Sequence, residues 1–236
     1  MRAKGCLILL LSAVLLLSSV IKAGAVNTGF TVDDLSKEDQ DSYVSNIGIR
    51  RLTEEPAKST FICFDVNESG LVAIGQDTPG IATVCVYSTG GFFQYGYTFN
   101  CLGHYGVEWD GENLNIYLFR SEKIVSLSPD GDTLGVFEVR NTPENNTYRN
   151  RYIHAARRTI GDAEYSIGND LGILNFFASS YSQVVVKTRT GAETIIYDAA
   201  PRQHTNAIVA TIIVCGSAAV AAVVIVGTIR QAKRRK

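Results

Sequence analysis

Few residues in this 236-residue chain have the types and the spacing that enzyme chemistry requires. The three histidines stand apart from one another, at His104, His154 and His204. None of them belongs to a zinc-protease motif, and the chain also lacks a nucleophile elbow, a phosphate-binding loop and an EF-hand loop. We therefore predict a non-enzymatic protein that needs no cofactor.

Three aspartates, Asp65, Asp110 and Asp170, occupy similar places in three related segments of the chain. In a short turn an aspartate side chain accepts hydrogen bonds from nearby backbone groups and tightens the turn. Metal binding by the three carboxylates is the alternative. The neighbouring residues are rich in Gly, Asn and Glu, which favours the structural role in turns.

Four arginines form the candidate binding site: Arg149, Arg151, Arg157 and Arg158. They lie in a segment, residues 140–162, that is far longer than its counterpart between the first two repeats. Long loops on repeat scaffolds often carry binding residues, and a basic patch on an acidic domain would suit an acidic ligand or a cell-wall polymer. The alternative is a solvated loop whose arginines pair with carboxylates of the same domain.

Three cysteines, Cys63, Cys85 and Cys101, fall in the part of the chain that we predict to be exported. Their spacing fits no zinc motif, and they allow either one disulfide with one thiol left over or three free thiols. Cys63 and Cys85 fall on predicted strands that are not neighbours. A bridge between Cys85 and Cys101 is therefore the easier one to form.

Two tripeptides match the acceptor pattern for N-linked glycosylation. They are Asn67-Glu68-Ser69 and Asn145-Asn146-Thr147. The pattern matters only in a cell that glycosylates exported chains, and it often arises by chance.

Both ends of the chain indicate export and membrane anchoring. Residues 1–25 have a basic start, an apolar run and a small-residue cleavage motif, which predict a signal peptide; an uncleaved anchor is the alternative. Residues 207–229 are 23 positions without a charge, enough for a helix to cross a hydrocarbon core of about 30 Å. The tail 230–236 carries five basic residues, and basic flanks stay in the cytoplasm. We expect a single-pass cell-membrane protein with its N-terminal domain outside, contacting lipid through this helix and the basic tail.

The formal charge of −1 conceals an uneven distribution of charge. Residues 26–205 contain 14 Lys and Arg against 23 Asp and Glu, a net charge of −9. Nucleic-acid binding depends on Lys and Arg that displace counterions from phosphates, so the acidic exported part argues against such a partner. About 180 residues suit one domain with a core of its own.

A pattern of four strands occurs three times along the exported part. Its second half is a hairpin with a Gly-containing turn, in residues 82–99, 123–139 and 183–199. Its first half is a strand, a short polar turn and a more apolar strand, in residues 64–76, 107–119 and 165–177. Glycine adopts the positive φ that tight hairpin turns require. Each unit therefore predicts a four-stranded antiparallel meander, and four strands every 40-odd residues are typical of β-propeller blades.

The second unit is the most regular of the three. It contains Gly106-Val107-Glu108-Trp109-Asp110-Gly111, Leu114, Ile116-Tyr117, Lys123-Ile124-Val125-Ser126-Leu127 and Asp130-Gly131. This pattern resembles the repeats of NHL-type and related β-propellers. The resemblance covers roughly residues 61–198, is weakest in the third unit, and implies a fold but no catalytic residues.

We therefore predict an all-β fold of three four-stranded blade-like repeats, a partial β-propeller, followed by one transmembrane helix. The predicted segments are a signal peptide (1–25), an acidic linker or cap (26–60), an ectodomain (61–199) with repeats at about 61–99, 104–139 and 163–198 and an insertion at 140–162, a juxtamembrane segment (200–206), the helix (207–229) and the tail (230–236).

Three blades are too few for a closed ring, and we expect a half-ring whose end blades expose apolar faces. A second copy, a protein partner or the flanking segments would have to cover these faces. One candidate cap is residues 27–60, where Thr31 could N-cap a short helix with Asp33 and Asp34 in its first turn. A flexible acidic linker is the alternative.

These features favour a membrane-anchored binding or assembly module outside the cell, with a protein partner or further copies of itself. Two alternatives remain at this stage. One is a glycan hydrolase or lyase on a propeller scaffold, which requires converging carboxylates or a histidine pair. The other is a sensor subunit that signals through a partner's helix, because a seven-residue tail cannot form a signalling domain.

Overall fold

The computed structural model of the chain describes residues 26–76, 80–172, 175 and 178–234, with side chains up to residue 217 in the C-terminal helix. The predicted signal peptide lies outside the described residues. The part that precedes the C-terminal helix is mostly β-sheet and contains three antiparallel sheets, two of five strands and one of four. This confirms the predicted predominance of antiparallel β structure.

Each sheet contains one meander of four consecutive strands. The first sheet has β3 (Phe61–Val66), β4 (Val72–Gln76), β5 (Ile81–Tyr87) and β6 (Phe93–Asn100). The second has β7 (Tyr105–Asp110), β8 (Asn113–Leu118), β9 (Lys123–Leu127) and β10 (Thr133–Val139). The third has β11 (Arg157–Ile160), β12 (Ala163–Gly168), β13 (Gln183–Thr188) and β14 (Glu193–Asp198).

The three sheets pack face to face, with the first sheet in the middle. One core joins the first and second sheets and includes Val84, Tyr97, Val107 and Leu127. Another core joins the first and third sheets through Phe64, Ile74, Tyr165 and Val184. Both faces of the first sheet are thus buried, which explains why its strands have no polar face. The first strands of the sheets, β3, β7 and β11, lie next to one another.

The third repeat differs from its sequence-based prediction. Its first strand is β11, within the predicted insertion, and β11 pairs with β12 around a turn at Gly161 and Asp162. The strand that we predicted at the end of residues 165–177 is wrong where it can be checked, because residues 171, 172 and 175 are not extended. The remaining positions of that stretch, 173, 174, 176 and 177, lie outside the described residues.

The segment before the first repeat is structured and acts as a cap. β1 (Val32–Asp34) extends the second sheet beside β10, and β2 (Arg50–Leu52) extends the first sheet beside β6. Between them lies α1 (Lys37–Ile47), whose N-cap is Ser36. The predicted cap at Thr31 is wrong because Asp33 and Asp34 pair with β10. The apolar face of α1 packs against the core between the first two sheets.

The insertion is also mostly regular rather than a loop. It forms α2 (Pro143–Tyr148), with Thr142 as N-cap, and continues as a five-residue π-helical segment (Arg149–Ile153). Asn145 is buried and ties this helix to the N-terminal segment. Its Oδ1 accepts a hydrogen bond from Thr31 N at 2.8 Å, and its Nδ2 donates to Thr31 O at 2.9 Å and to Arg140 O at 2.7 Å.

The two outer faces of the stack differ, and on the second sheet the cover comes from the flanking segments, one of the three predicted possibilities. On the second sheet, Tyr117, Ile124 and Val139 are covered by Phe30 and Ile153. On the third sheet, the strand register places mainly polar residues on the outward face, where Glu164 pairs with Lys187 and Lys187 with Glu193, while Ile195 on the same face is 52% exposed.

The C-terminal helix α3 (Ala200–Arg234) follows β14 almost directly. Within the part of the chain that the structure describes, no helix combines the length and the apolar character that a membrane span requires. The predicted span at 207–229 includes positions beyond residue 217 whose side chains are outside that part, and it stays a prediction.

We expect Asn145→Ala to lower the free energy of unfolding by about 2–3 kcal/mol, because it removes the three hydrogen bonds by which a buried amide joins α2 to Thr31 and Arg140. Asn146→Ala is the matched control, because Asn146 lies next to it and is only half-buried. Urea unfolding followed by circular dichroism measures both. Equal stability of the two variants would contradict the role of Asn145.

Candidate functional site

A buried ion pair lies where the first strands of the three sheets meet. Arg158 on β11 donates from Nε to Asp65 Oδ1 on β3 at 2.6 Å. Trp109 on β7 donates its backbone N–H to Asp65 Oδ2 at 2.8 Å. Asp65 and Arg158 are both buried. One carboxylate therefore connects all three sheets.

The Arg158 guanidinium is also fully engaged within the protein. Its Nη2 donates to Tyr152 O at 2.7 Å and its Nη1 to Arg157 O at 3.1 Å. The group lies 4.5 Å from the ring centroid of Tyr152 and 5.4 Å from that of Phe64. Burial raises the pKa of Asp65, and the charge and hydrogen bonds of Arg158 oppose that rise.

A second buried carboxylate, Glu108 on β7, holds the two capping segments. Its Oε2 accepts from Thr28 Oγ1 at 2.5 Å, and its Oε1 accepts from the hydroxyl of Tyr148. Gly29 N donates to the same Oε1 at 3.4 Å. Burial raises the pKa of Glu108, while the bonds from Thr28 and Tyr148 act in the opposite direction. Thr28 comes from the N-terminal segment and Tyr148 from α2.

This central region is therefore occupied by the protein's own side chains. Both carboxylates are saturated by protein donors, so neither is available to a substrate as an acid, a base or a nucleophile. The three aspartates of the repeats are not brought together, since Asp110 accepts from Asn27 N at 2.9 Å and Asp170 lies beside His204. Among the residues that the structure describes, no group of three or more His, Cys, Asp or Glu could hold a metal ion.

The four predicted binding arginines do not form one surface. Arg158 is buried in the ion pair, and Arg157 is exposed and pairs with Glu164 at 3.5 Å. Arg149 donates to Asn146 Oδ1 at 2.8 Å and lies over the ring of Phe119, while Arg151 is exposed. The alternative interpretation, pairing with carboxylates of the same domain, is right for Arg157 and Arg158.

The cysteines of the described part are free thiols, so the bridge between Cys85 and Cys101 does not form. Cys63 and Cys85 belong to the cores on opposite faces of the first sheet. Burial raises the pKa of both thiols to about 12. They are therefore packing residues rather than nucleophiles.

An open cavity of about 600 Å³ lies away from the central region, at the edge between the first two sheets. We call it the α1 pocket. Helix α1 supplies Tyr43 and Ile47, the loop after β6 supplies Cys101 and Leu102, and the loop after β8 supplies Arg120. Nothing in the sequence pattern indicated this pocket, because its walls come from three segments that are distant in the chain.

The α1 pocket is suited to binding rather than to bond making. Leu102 leaves 73% of its surface exposed, and Arg120 is also exposed. The Tyr43 hydroxyl is held by Ser121 Oγ at 2.5 Å, and burial raises the pKa of Tyr43, so that it is neutral. Burial also raises the pKa of the Cys101 thiol. Among the residues that the structure describes, the pocket offers apolar surface and the exposed Arg120, and neither Tyr43 nor Cys101 is activated as a nucleophile.

The chain matches no protein-family model, no curated protein and no solved structure.

We expect Arg158→Met to lower the free energy of unfolding at pH 7 by about 3–5 kcal/mol, because it leaves a buried carboxylate unpaired. The loss should be smaller at pH 4. Without Arg158 the pKa of Asp65 in the folded state lies still further above its unfolded value, so stability falls as the pH rises from about 4. Denaturant titrations at the two pH values measure this difference.

The control is Arg157→Met, which removes an exposed ion pair on the adjacent residue and should change stability by less than about 0.5 kcal/mol. A pH-independent loss in Arg158→Met would show that packing, rather than the unpaired charge of Asp65, accounts for the effect.

Proposed function

We propose that this chain is a single-pass, membrane-anchored binding module outside the cell, built on a partial β-propeller and without catalytic activity. The observation that carries the proposal is that the buried carboxylates and the open pocket lie in different parts of the domain. The buried carboxylates that an enzyme would use are bonded to protein donors, while the open α1 pocket has an apolar wall and an exposed arginine.

The partial propeller is supported by the arrangement of the meanders. Each sheet contains four consecutive antiparallel strands, the sheets pack face to face, and their first strands adjoin. In this interpretation the first strands of the sheets line the axis of the partial ring. The π-helical segment contacts β3 and β7 there, and together with α2 it occupies space that further blades would otherwise enclose. The outer face of the third sheet, mainly polar but with Ile195 exposed, then forms one end of the half-ring.

Membrane anchoring is supported by the sequence of both termini and by helix α3. The uncharged stretch 207–229 falls within this helix, and the basic tail follows it. Ile208, Val209, Ile212, Ile213 and Val214 each leave about half or more of their surface exposed on α3. A helix with such a surface is stable in contact with lipid or with other helices.

The chemistry of the α1 pocket defines the class of ligand. Leu102 and Ile47 offer apolar contacts, and Arg120 offers a charge-assisted hydrogen bond at the rim. The ligand would therefore have an apolar body and an anionic group. Either a small molecule or a segment of a partner protein can present these two features.

Binding can be tested with anilinonaphthalene sulfonate, an apolar anion, and the fragment of residues 26–206. We expect a saturable rise in fluorescence that falls at least fivefold in Leu102→Asp, because a carboxylate there repels the anion and removes apolar surface. Leu134→Asp is the matched control, since Leu134 is 54% exposed on β10 and lies outside the pocket. Equal binding by both variants would contradict a ligand site in the α1 pocket.

Anchoring is tested separately, by flotation of the full chain with phosphatidylcholine and phosphatidylglycerol vesicles and extraction at alkaline pH. We expect the chain to float and to resist extraction. Lysines at Val214 and Ser217 should abolish this, because each charge inside a span costs about 2.5–3.5 kcal/mol. Lysines at Thr190 and Thr194, which are exposed on the third sheet, should have no effect. Full extraction of the unmodified chain would refute anchoring.

A further inference from the structure

The strands give the domain two distinct ends. Tyr181, in the loop between β12 and β13, pairs with Phe61 at the start of β3. Asp65 and Trp109, near the ends of β3 and β7, are hydrogen-bonded, so these two strands run side by side in one direction. The ends of β4, β6, β8 and β12 therefore lie at one end of the domain, together with the start of α3. We call this the helix end and the opposite one the turn end.

Helix α3 is attached directly to the domain, without an intervening linker. Asp198 Oδ1 accepts from Ala200 N at 2.8 Å, and Ala199 N donates to Ser182 O at 2.8 Å. Gln203 is buried, and its Nε2 donates to Asn169 Oδ1 at 2.8 Å. From Gln203 to the start of the predicted span at Ala207 is four residues, or about 6 Å of helix.

Part of the helix end already lies beside the start of the predicted span. Leu171 and Ala178 line one cavity with Ala207, Thr211 and Val214 of α3. Leu171 and Ala178 therefore lie beside the first two turns of the uncharged stretch. If that stretch enters a bilayer, these two residues reach the lipid headgroups and the edge of the hydrocarbon.

The exposed side chains at the helix end suit a lipid interface. Leu102 is 73% exposed in the loop after β6, and Ile81 is 54% exposed at the start of β5. Arg120 and Arg202 are exposed cations at the same end, where Glu122 is also exposed. Apolar side chains with nearby cations favour insertion among anionic headgroups.

The turn end is unsuited to such a contact because it is strongly acidic. Its hairpin turns carry Glu68, Asp110, Glu112, Asp130, Asp132 and Asp162. Arg189 is the basic residue in these turns, and Arg51 lies against one of them. Anionic lipid would repel this end. The charge distribution and the position of α3 therefore both favour an orientation in which the helix end faces the membrane.

We propose that the helix end of the domain rests on the lipid surface, with Leu102, Ile81 and Arg120 in the headgroup layer and the acidic turn end directed away from the membrane. This proposal rests on the membrane anchoring proposed above, and it adds a fixed orientation and a lipid-binding surface. The α1 pocket then opens at the membrane surface, where molecules with an apolar body and an anionic group are abundant.

The test uses the full chain in vesicles that contain phosphatidylcholine spin-labelled on its headgroup. Leu102→Trp introduces a fluorophore at the helix end, and Leu134→Trp introduces one near the turn end on a leucine of similar exposure. Ile81→Trp is a second probe at the helix end. The native Trp109 contributes the same background to all three variants.

We expect the spin label to quench the added fluorescence of Leu102→Trp and Ile81→Trp at least threefold more than that of Leu134→Trp. If the vesicles carry the chain but the three variants are quenched equally, the orientation is refuted while the anchor stands. If the chain does not float with the vesicles, the anchor itself is refuted, and the lipid-binding surface with it.

Discussion

The bond between Asp65 and Arg158 is the interaction on which the rest of the structure depends. It joins the first and third repeats, and the backbone N–H of Trp109 brings the second repeat to the same carboxylate. Two buried charges are tolerated only where hydrogen bonds satisfy nearly every donor and acceptor, as they do here. The ion pair therefore determines how the three sheets are positioned, although hydrophobic packing provides most of the driving force for folding.

The N-terminal segment and the insertion link parts of the fold beyond the three meanders. Asn145 connects them to each other, and Glu108 binds both through Thr28 and Tyr148. These segments cover the outer face of the second sheet and fill the central region. The three sheets are thus held together in part by segments that do not belong to any of the meanders.

The periodic parts of the fold could be predicted from the sequence. The strands of the second repeat and all three hairpin turns are marked by alternation and by Gly-containing turns, because local geometry alone determines them. A short helix before the first meander was one of two predicted alternatives, and Tyr43, Val44 and Ile47 of α1 pack against the core. The helix start was misplaced, because the pairing of β1 with β10 is a long-range contact that no local pattern shows.

The functional surfaces were much harder to predict. Arg158 and Arg157 are adjacent in a basic stretch, yet alternation along β11 buries one and exposes the other. A strand was not expected there, because its four residues, Arg-Arg-Thr-Ile, carry two charges.

The α1 pocket combines a helix and two loops separated by dozens of residues. A local sequence pattern shows the residue types of one segment, whereas the α1 pocket forms only where three distant segments come together.

The burial of Asn67 and Asn145 has a practical consequence for producing the protein. Both amides are enclosed and hydrogen-bonded, Asn67 to Leu71 and Gly111 and Asn145 to Thr31 and Arg140. A eukaryotic secretory pathway attaches glycans to such sequences while the chain is still unfolded, and a glycan on either amide is incompatible with its native place. Expression in a host without this pathway avoids the conflict. Where a eukaryotic host is required, Ser69→Ala with Thr147→Ala removes both acceptor sequences while leaving the two asparagines intact.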